Sequence, residues 1–205
     1  MITERDQEIL EALSLRTPVL SMEQIGRTWF SEGTAVARKR MTFLAESNWL
    51  KIATVAAHPI LKLAAPVFTW KPGEQLPDPR RISRDLQSRW TRPLRPTAVC
   101  VPTRRTLSAF GGKARRLAAA QATHDLHVAE VFLRYRTSVP DKAARWTGEG
   151  VLASRGRNTK LPDAIIAGTS DEPPLVVEFG GAYPAARVDG ILEHCLAENL
   201  PLEIW

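Results

Sequence analysis

Ser21-Met22-Glu23-Gln24-Ile25-Gly26-Arg27-Thr28-Trp29-Phe30-Ser31-Glu32-Gly33-Thr34 opens the stretch, ending at Trp70, whose reading decides the fold. Ser21 puts a hydroxyl at an N-cap and Gln24 stands three residues on, with Leu20 and Ile25 placed as a hydrophobic staple, so a short helix is predicted to run to about Trp29 or Phe30. Ser31-Glu32-Gly33 supplies turn residues, and Thr34 can cap a second helix that reaches roughly Ser47. In that helix Ala37, Met41 and Leu44 recur at helical spacing, with Val36 and Arg40 on the flanks, while Arg38, Lys39 and Thr42 fall on the opposite side. Trp49–Val55 and Val67–Trp70 read as two strands, and the stretch between them, with His58-Pro59, as a wing.

Outward toward the N-terminus, Thr3 caps a first helix to about Leu13, with Glu4 and Asp6 in its first turn and Ile9, Leu10 and Leu13 on its buried side. Three helices followed by a two-stranded wing make residues 1–72 a winged helix-turn-helix. Arg38, Lys39 and Thr42 on its second turn-helix then suit phosphate and base-edge contacts in double-stranded DNA. The plainer alternative is an amphipathic helix whose charges are merely solvated.

Composition sets the bounds. The chain has 205 residues, enough for one large or two small domains, and 44% of them are hydrophobic, which is ordinary for a globular protein. Two cysteines, Cys100 and Cys195, are too few for a disulfide framework, have no CxxC partner and speak against a zinc site. Without an apolar run of membrane-spanning length or a basic-then-apolar leader, the expected location is cytoplasmic and no membrane partner is expected. The net charge of +6 is unevenly divided: residues 71–120 carry 12 Lys and Arg against 3 Asp and Glu, whereas residues 121–205 carry 8 against 12. Concentrated positive charge is suited to a polyanion such as nucleic acid.

Residues 73–120 read as a basic, Pro- and Arg-rich connector, with a short helix over Arg81–Arg89, an apolar strand at Thr97–Val101 and a helix-prone piece at Lys113–Ala120. Its Arg80, Arg81 and Arg84 are candidates for tracking a DNA backbone; a solvated linker is the other reading. Residues 121–205 read as an α/β domain: an amphipathic helix from Thr123, strands at Trp146–Glu149, Asp163–Gly168 and Leu175–Phe179, a helix from Tyr183 to about Leu196, and a last strand at Pro201–Trp205. The fold class is therefore α+β.

Pro162-Asp163 and Glu178, fifteen positions apart on neighbouring strands and preceded by Glu130 on a helix, resemble the core of the PD-(D/E)xK restriction-endonuclease-like nucleases. That resemblance implies Mg²⁺ held by Asp163 and Glu178, Glu130 as a further carboxylate, and a lysine two positions after Glu178. Gly180 stands at the lysine position, with Lys160 and Arg187 as the cations that could replace it. The expectation is a non-catalytic nuclease-like domain without a cofactor, with a Mg-dependent endodeoxyribonuclease as the alternative. His124, His127 and Glu130 have a spacing that can hold a metal, or are capping and surface residues. Cys195 beside His194 is discounted as a nucleophile, because adjacent helical residues point to different faces.

The wider layout resembles a family as well. Thr3-Glu4-Arg5-Asp6 before Ile9-Leu10, Ser21-Met22-Glu23-Gln24, Ala37-Arg38-Lys39-Arg40, Thr123-His124-Asp125-Leu126, Pro162-Asp163-Ala164 and Val177-Glu178-Phe179 look like the replication-relaxation (MobC-like) proteins. This resemblance implies an N-terminal winged helix and a role in the replication, mobilisation or transcription control of a plasmid or mobile element. A homodimer or a plasmid-encoded protein is a further partner expected, and a protein-interaction module, in which the wing region dimerises and the acidic C-terminal domain binds a partner, is the remaining alternative.

Overall fold

The structure, a computed structural model, describes residues 1–31, 33–113, 117–152 and 161–205. Among them lie nine α-helices and two sheets in a mixed α+β arrangement. Helix α1 (Glu4–Glu11) starts at Thr3, whose hydroxyl and the Asp6 carboxylate close a capping box, and it passes directly into a π-helical turn at Ala12–Arg16. After β1 (Leu20–Ser21), α2 (Met22–Trp29) opens on the box predicted for it: Gln24 N–H donates to Ser21 Oγ at 3.1 Å and Ser21 N–H to Gln24 Oε1 at 2.9 Å. Helix α3 (Thr34–Glu46) is capped differently from the expectation, since Gly33, at φ 93°, is its N-cap and Thr34 is already helical. Glycine takes that left-handed backbone without Cβ strain. The two helices cross closely, and a Cβ on Gly26 would meet Thr34 Cα at 3.0 Å.

The strands depart from the sequence expectation. After β2 (Leu50–Ala57) come β3 (Phe68–Trp70), α4 (Pro79–Gln87) and β4 (Arg95–Pro102), and it is β4 that pairs with β2 along its whole length, from Leu50↔Pro102 to Ala57↔Arg95. With β1 on the far side of β4, the first sheet has the order β1-β4-β2. Val67–Trp70 is thus not the second wing strand. Trp70 is instead buried with Val176 and Leu202, and β3 pairs with β8 (Leu202–Ile204) in the other sheet. Local strand propensity was right for both segments, but pairing depends on which apolar face each can bury.

Boundaries at 72 and 120 consequently separate strands that are hydrogen-bonded to each other. The expected connector is folded: Asp78 caps α4, Pro79 opens it, and Ile82 and Leu86 pack with Val188, Ile191 and Leu192. Next, α5 (Arg104–Phe110) is capped by Thr103. The described part of Lys113–Ala120 is not an α-helix; it holds only the start of a 3₁₀ turn at Ala119–Gln121.

Helix α6 (Ala122–Ser138) follows, then α7 (Pro140–Ala144), β5 (Trp146–Gly148), α8 (Glu149–Leu152), β6 (Ala164–Ile166), β7 (Leu175–Glu178) and α9 (Ala185–Ala197), before β8. The second sheet runs β3-β8-β7-β6-β5, antiparallel except for the β7–β8 pair. The predicted order of helix, three strands, helix and strand is present. Helix α6 is apolar on nearly every side because it is packed between the sheets: Leu126 meets the Val99 and Ala57 side, whereas Phe132 and Tyr135 stack near Trp146. Among the described residues no helix is long and apolar enough to cross a membrane.

Candidate functional site

Two regions carry the residues that the sequence singled out. In the first, Ala37, Met41 and Leu44 of α3 are completely buried, which leaves Arg38, Lys39 and Thr42 exposed as their spacing predicts. Arg38 and Lys39 enter no ion pair among the described residues. Arg40 behaves otherwise: its Nε donates to Asp6 Oδ1 at 3.0 Å, tying α3 to α1. Burial alone would raise the Asp6 pKa, but hydrogen bonds from Arg40 and Thr3 hold it below the usual carboxylate range. On α4, Arg80, Arg81 and Arg84 are exposed as well.

The second region is built where the start of α6 meets β6 and β7. The β6–β7 register pairs Ala164 with Val177, so Asp163 and Glu178, the next pair along, stand opposite each other. Both are largely buried, and Asp163 Oδ2 accepts the Phe179 backbone N–H at 2.8 Å. His124 Nε2 lies 3.1 Å from the same Oδ2, and His124 Nδ1 lies 3.7 Å from Asp125 Oδ1. Burial disfavours the imidazolium, yet the flanking Asp125 and Asp163 carboxylates outweigh it and push the His124 pKa up to about 10. Tyr183 Oη sits 3.3 Å from His124 Nε2 and accepts a hydrogen bond from Arg187 Nη2 at 2.8 Å.

One turn along α6, His127 has the opposite character. Its Nε2 accepts the Leu61 N–H at 3.1 Å, its Nδ1 donates to Thr123 O at 2.6 Å, and its ring stacks on Phe179. Burial first, then the Arg89, His124 and His58 charges, lower its pKa to about 4, so the ring is neutral. Glu130 is elsewhere again: it accepts from Gln24 Nε2 at 3.0 Å and pairs with Arg27 of α2. His124, His127 and Glu130 do not converge, because three residues fall short of a helical turn and six rotate the direction by about 120°. Among the described residues no group of three His, Cys, Asp or Glu is arranged to hold a metal.

Gly180 explains why no lysine stands there. A Cβ at Gly180 would meet Leu86 side-chain carbons at 2.6 Å and Ile204 Cγ2 at 2.9 Å, so α4 and β8 fill the space a longer residue needs. The cation on Asp163 is His124. Among the described residues the Arg187 side chain reaches Tyr183 and no carboxylate, and Lys160 lies outside them. Cys195 is buried and burial pushes its thiol pKa up to about 12, in keeping with a core residue. Sequence reading missed Tyr183 as a site residue, and also Trp90 and His58, which come from the stretch between β2 and β4 and lie against each other in a tilted pair with ring centres 5.1 Å apart. The chain matches no protein-family model, no curated protein and no solved structure.

Proposed function

We propose that this chain binds double-stranded DNA through α3 and that the residues around Asp163 do not cut it. The observation that carries the reading is α3 itself, anchored by three fully buried residues while Arg38, Lys39 and Thr42 face solvent without an ion pair among the described residues. The order α1, β1, α2, α3, β2, β4, with an antiparallel β2–β4 pair, supports a winged helix-turn-helix, in which the helix after the turn enters the major groove. A place in plasmid replication, mobilisation or transcription control rests on the resemblance to the replication-relaxation proteins. A homodimer or a plasmid-encoded protein partner belongs with the protein-interaction alternative.

The rival is a metal-dependent nuclease, favoured by one observation, the cross-strand placement of Asp163 and Glu178 between α6 and α9. The donor set does not fit it. Asp163 already holds His124 and a backbone N–H, Glu130 is turned toward α2, and Gly180 has no room for a lysine. A gel shift on duplex DNA across a salt series, with and without Mg²⁺, tests both readings. Salt-sensitive binding with intact DNA is expected; nicking of supercoiled plasmid that is lost in Asp163→Ala and Glu178→Ala would establish the nuclease instead.

A further inference from the structure

Between the start of α6, the end of β7 and the approach to α9 lies a cavity of about 570 Å³, walled in part by His58, Trp90, His124, Phe179, Tyr183 and Arg187. That volume is within the range of small-ligand pockets, roughly 300 to 1,000 Å³, and far more than a lone inorganic anion fills. One wall carries a donor in need of an acceptor. Arg187 is exposed and enters no ion pair among the described residues, yet its pose is fixed: it donates to Tyr183 Oη, and its guanidinium carbon sits 3.8 Å from the Tyr183 ring centre. Its remaining N–H groups are left for an anion that offers two acceptor oxygens, such as phosphate. In the same lining the Trp90 ring is held among His58, His127 and Phe179, its indole N–H buried and without an acceptor among the described residues.

The acidic wall does not forbid an anion, because the Asp163 charge is answered by His124 and the Phe179 N–H. A second carboxylate, Glu149, stands elsewhere in the lining, and the rings of Trp90, Phe179 and Tyr183 supply aromatic surface on which a base can stack. We propose that this cavity binds a mononucleotide unit, with its phosphate on Arg187 and its base toward Trp90 and His58. The unit is either a free nucleotide or the terminal nucleotide of a DNA strand, which have the same chemistry.

Calorimetry on the full chain with dTMP, thymidine and inorganic phosphate tests this. Saturable dTMP binding with Kd below about 1 mM is expected, with thymidine and phosphate each weaker. Arg187→Gln should weaken dTMP by about tenfold or more, as loss of a hydrogen bond to a charged group implies, at an unchanged melting temperature. Trp90→Phe, which keeps an aromatic face, should weaken it less. A second arm compares overhanging duplexes with and without a 5′-phosphate: tighter binding of the phosphorylated end, competed by dTMP, identifies a strand terminus, whereas equal binding identifies a free nucleotide. Arg38→Ala should leave dTMP binding untouched, so failure of the α3 reading does not touch this one. Absence of saturable dTMP binding together with no 5′-phosphate preference overturns the proposal, as does dTMP binding that Arg187→Gln leaves unchanged.

Discussion

The outward face of α3 and the cluster around Asp163 handle charge in opposite ways. On α3, Arg38 and Lys39 lie in water and have no carboxylate among the described residues; around Asp163, His124 is set between two carboxylates and the Phe179 N–H completes the first of them. A solvated cation loses little by waiting for an external partner, while a buried charge must be answered inside the chain. Under the proposed DNA-binding reading, the polyanion belongs at the charges the fold left unanswered.

The sharpest break of the comparison comes from the side of α3 that faces the core. Leu44 is fully buried, so Leu44→Ala should cost about 2 to 5 kcal/mol of stability, and DNA binding should fall only as far as the fold does. Melting temperature and binding isotherm measured on the same preparation check this. Arg38→Ala should do the reverse, leaving melting unchanged while weakening binding by about 1 to 3 kcal/mol and relaxing preference at one base position. Lys39→Ala should weaken all sequences alike. If both variants bind like wild type, α3 is not the reading helix and the protein-interaction alternative gains.

On the buried side the comparison is tested by pH. His124, raised to about 10 against about 6.5 in an unfolded chain, binds more proton when folded. Its stabilisation is complete below about pH 6.5 and is lost as pH rises toward 10. His127, lowered to about 4, binds less proton when folded, so stability falls as pH drops from about 6.5 toward 4. Melting temperature against pH should peak between these arms. His124→Gln should flatten the alkaline arm and His127→Gln the acid one; an alkaline arm unchanged in His124→Gln would mean that the imidazolium does not hold Asp163.

The smallest effect is expected from α4. Arg80→Gln, Arg81→Gln and Arg84→Gln together should flatten the slope of log K against log salt by up to about 0.9 for each phosphate that these arginines neutralise. An unchanged slope would leave them a solvated face of a helix whose other side is packed on α9.

Legibility varied with the range of the interaction that decides each feature. Caps were readable because they close within three residues: Thr3 with Asp6 and Ser21 with Gln24 are both in place. The inward and outward faces of α3 were readable from a 3.6-residue period. Strand partners were not: Val67–Trp70 and Thr97–Val101 are both apolar runs, and nothing local says that the second lies against β2 and the first against β8. Asp163 and Glu178 were legible because they flank short antiparallel strands, whereas Glu130, the third member expected with them, points elsewhere. His124, six residues earlier on the same helix, faces them.

By itself, then, the sequence determined many of the elements, the caps at Thr3 and Ser21, the amphipathic face of α3 and the uneven charge, since these depend on backbone and side-chain chemistry over a turn or two of chain. Tertiary structure alone decided that residues 58–94 leave the first sheet to supply β3 and α4 to the second before β4 returns to pair with β2. It alone set His124 on Asp163, turned Glu130 toward Arg27 and filled the side-chain space at Gly180 with Leu86. Those outcomes follow from burying apolar faces contributed by segments far apart in the chain, and no short-range pattern encodes which faces meet.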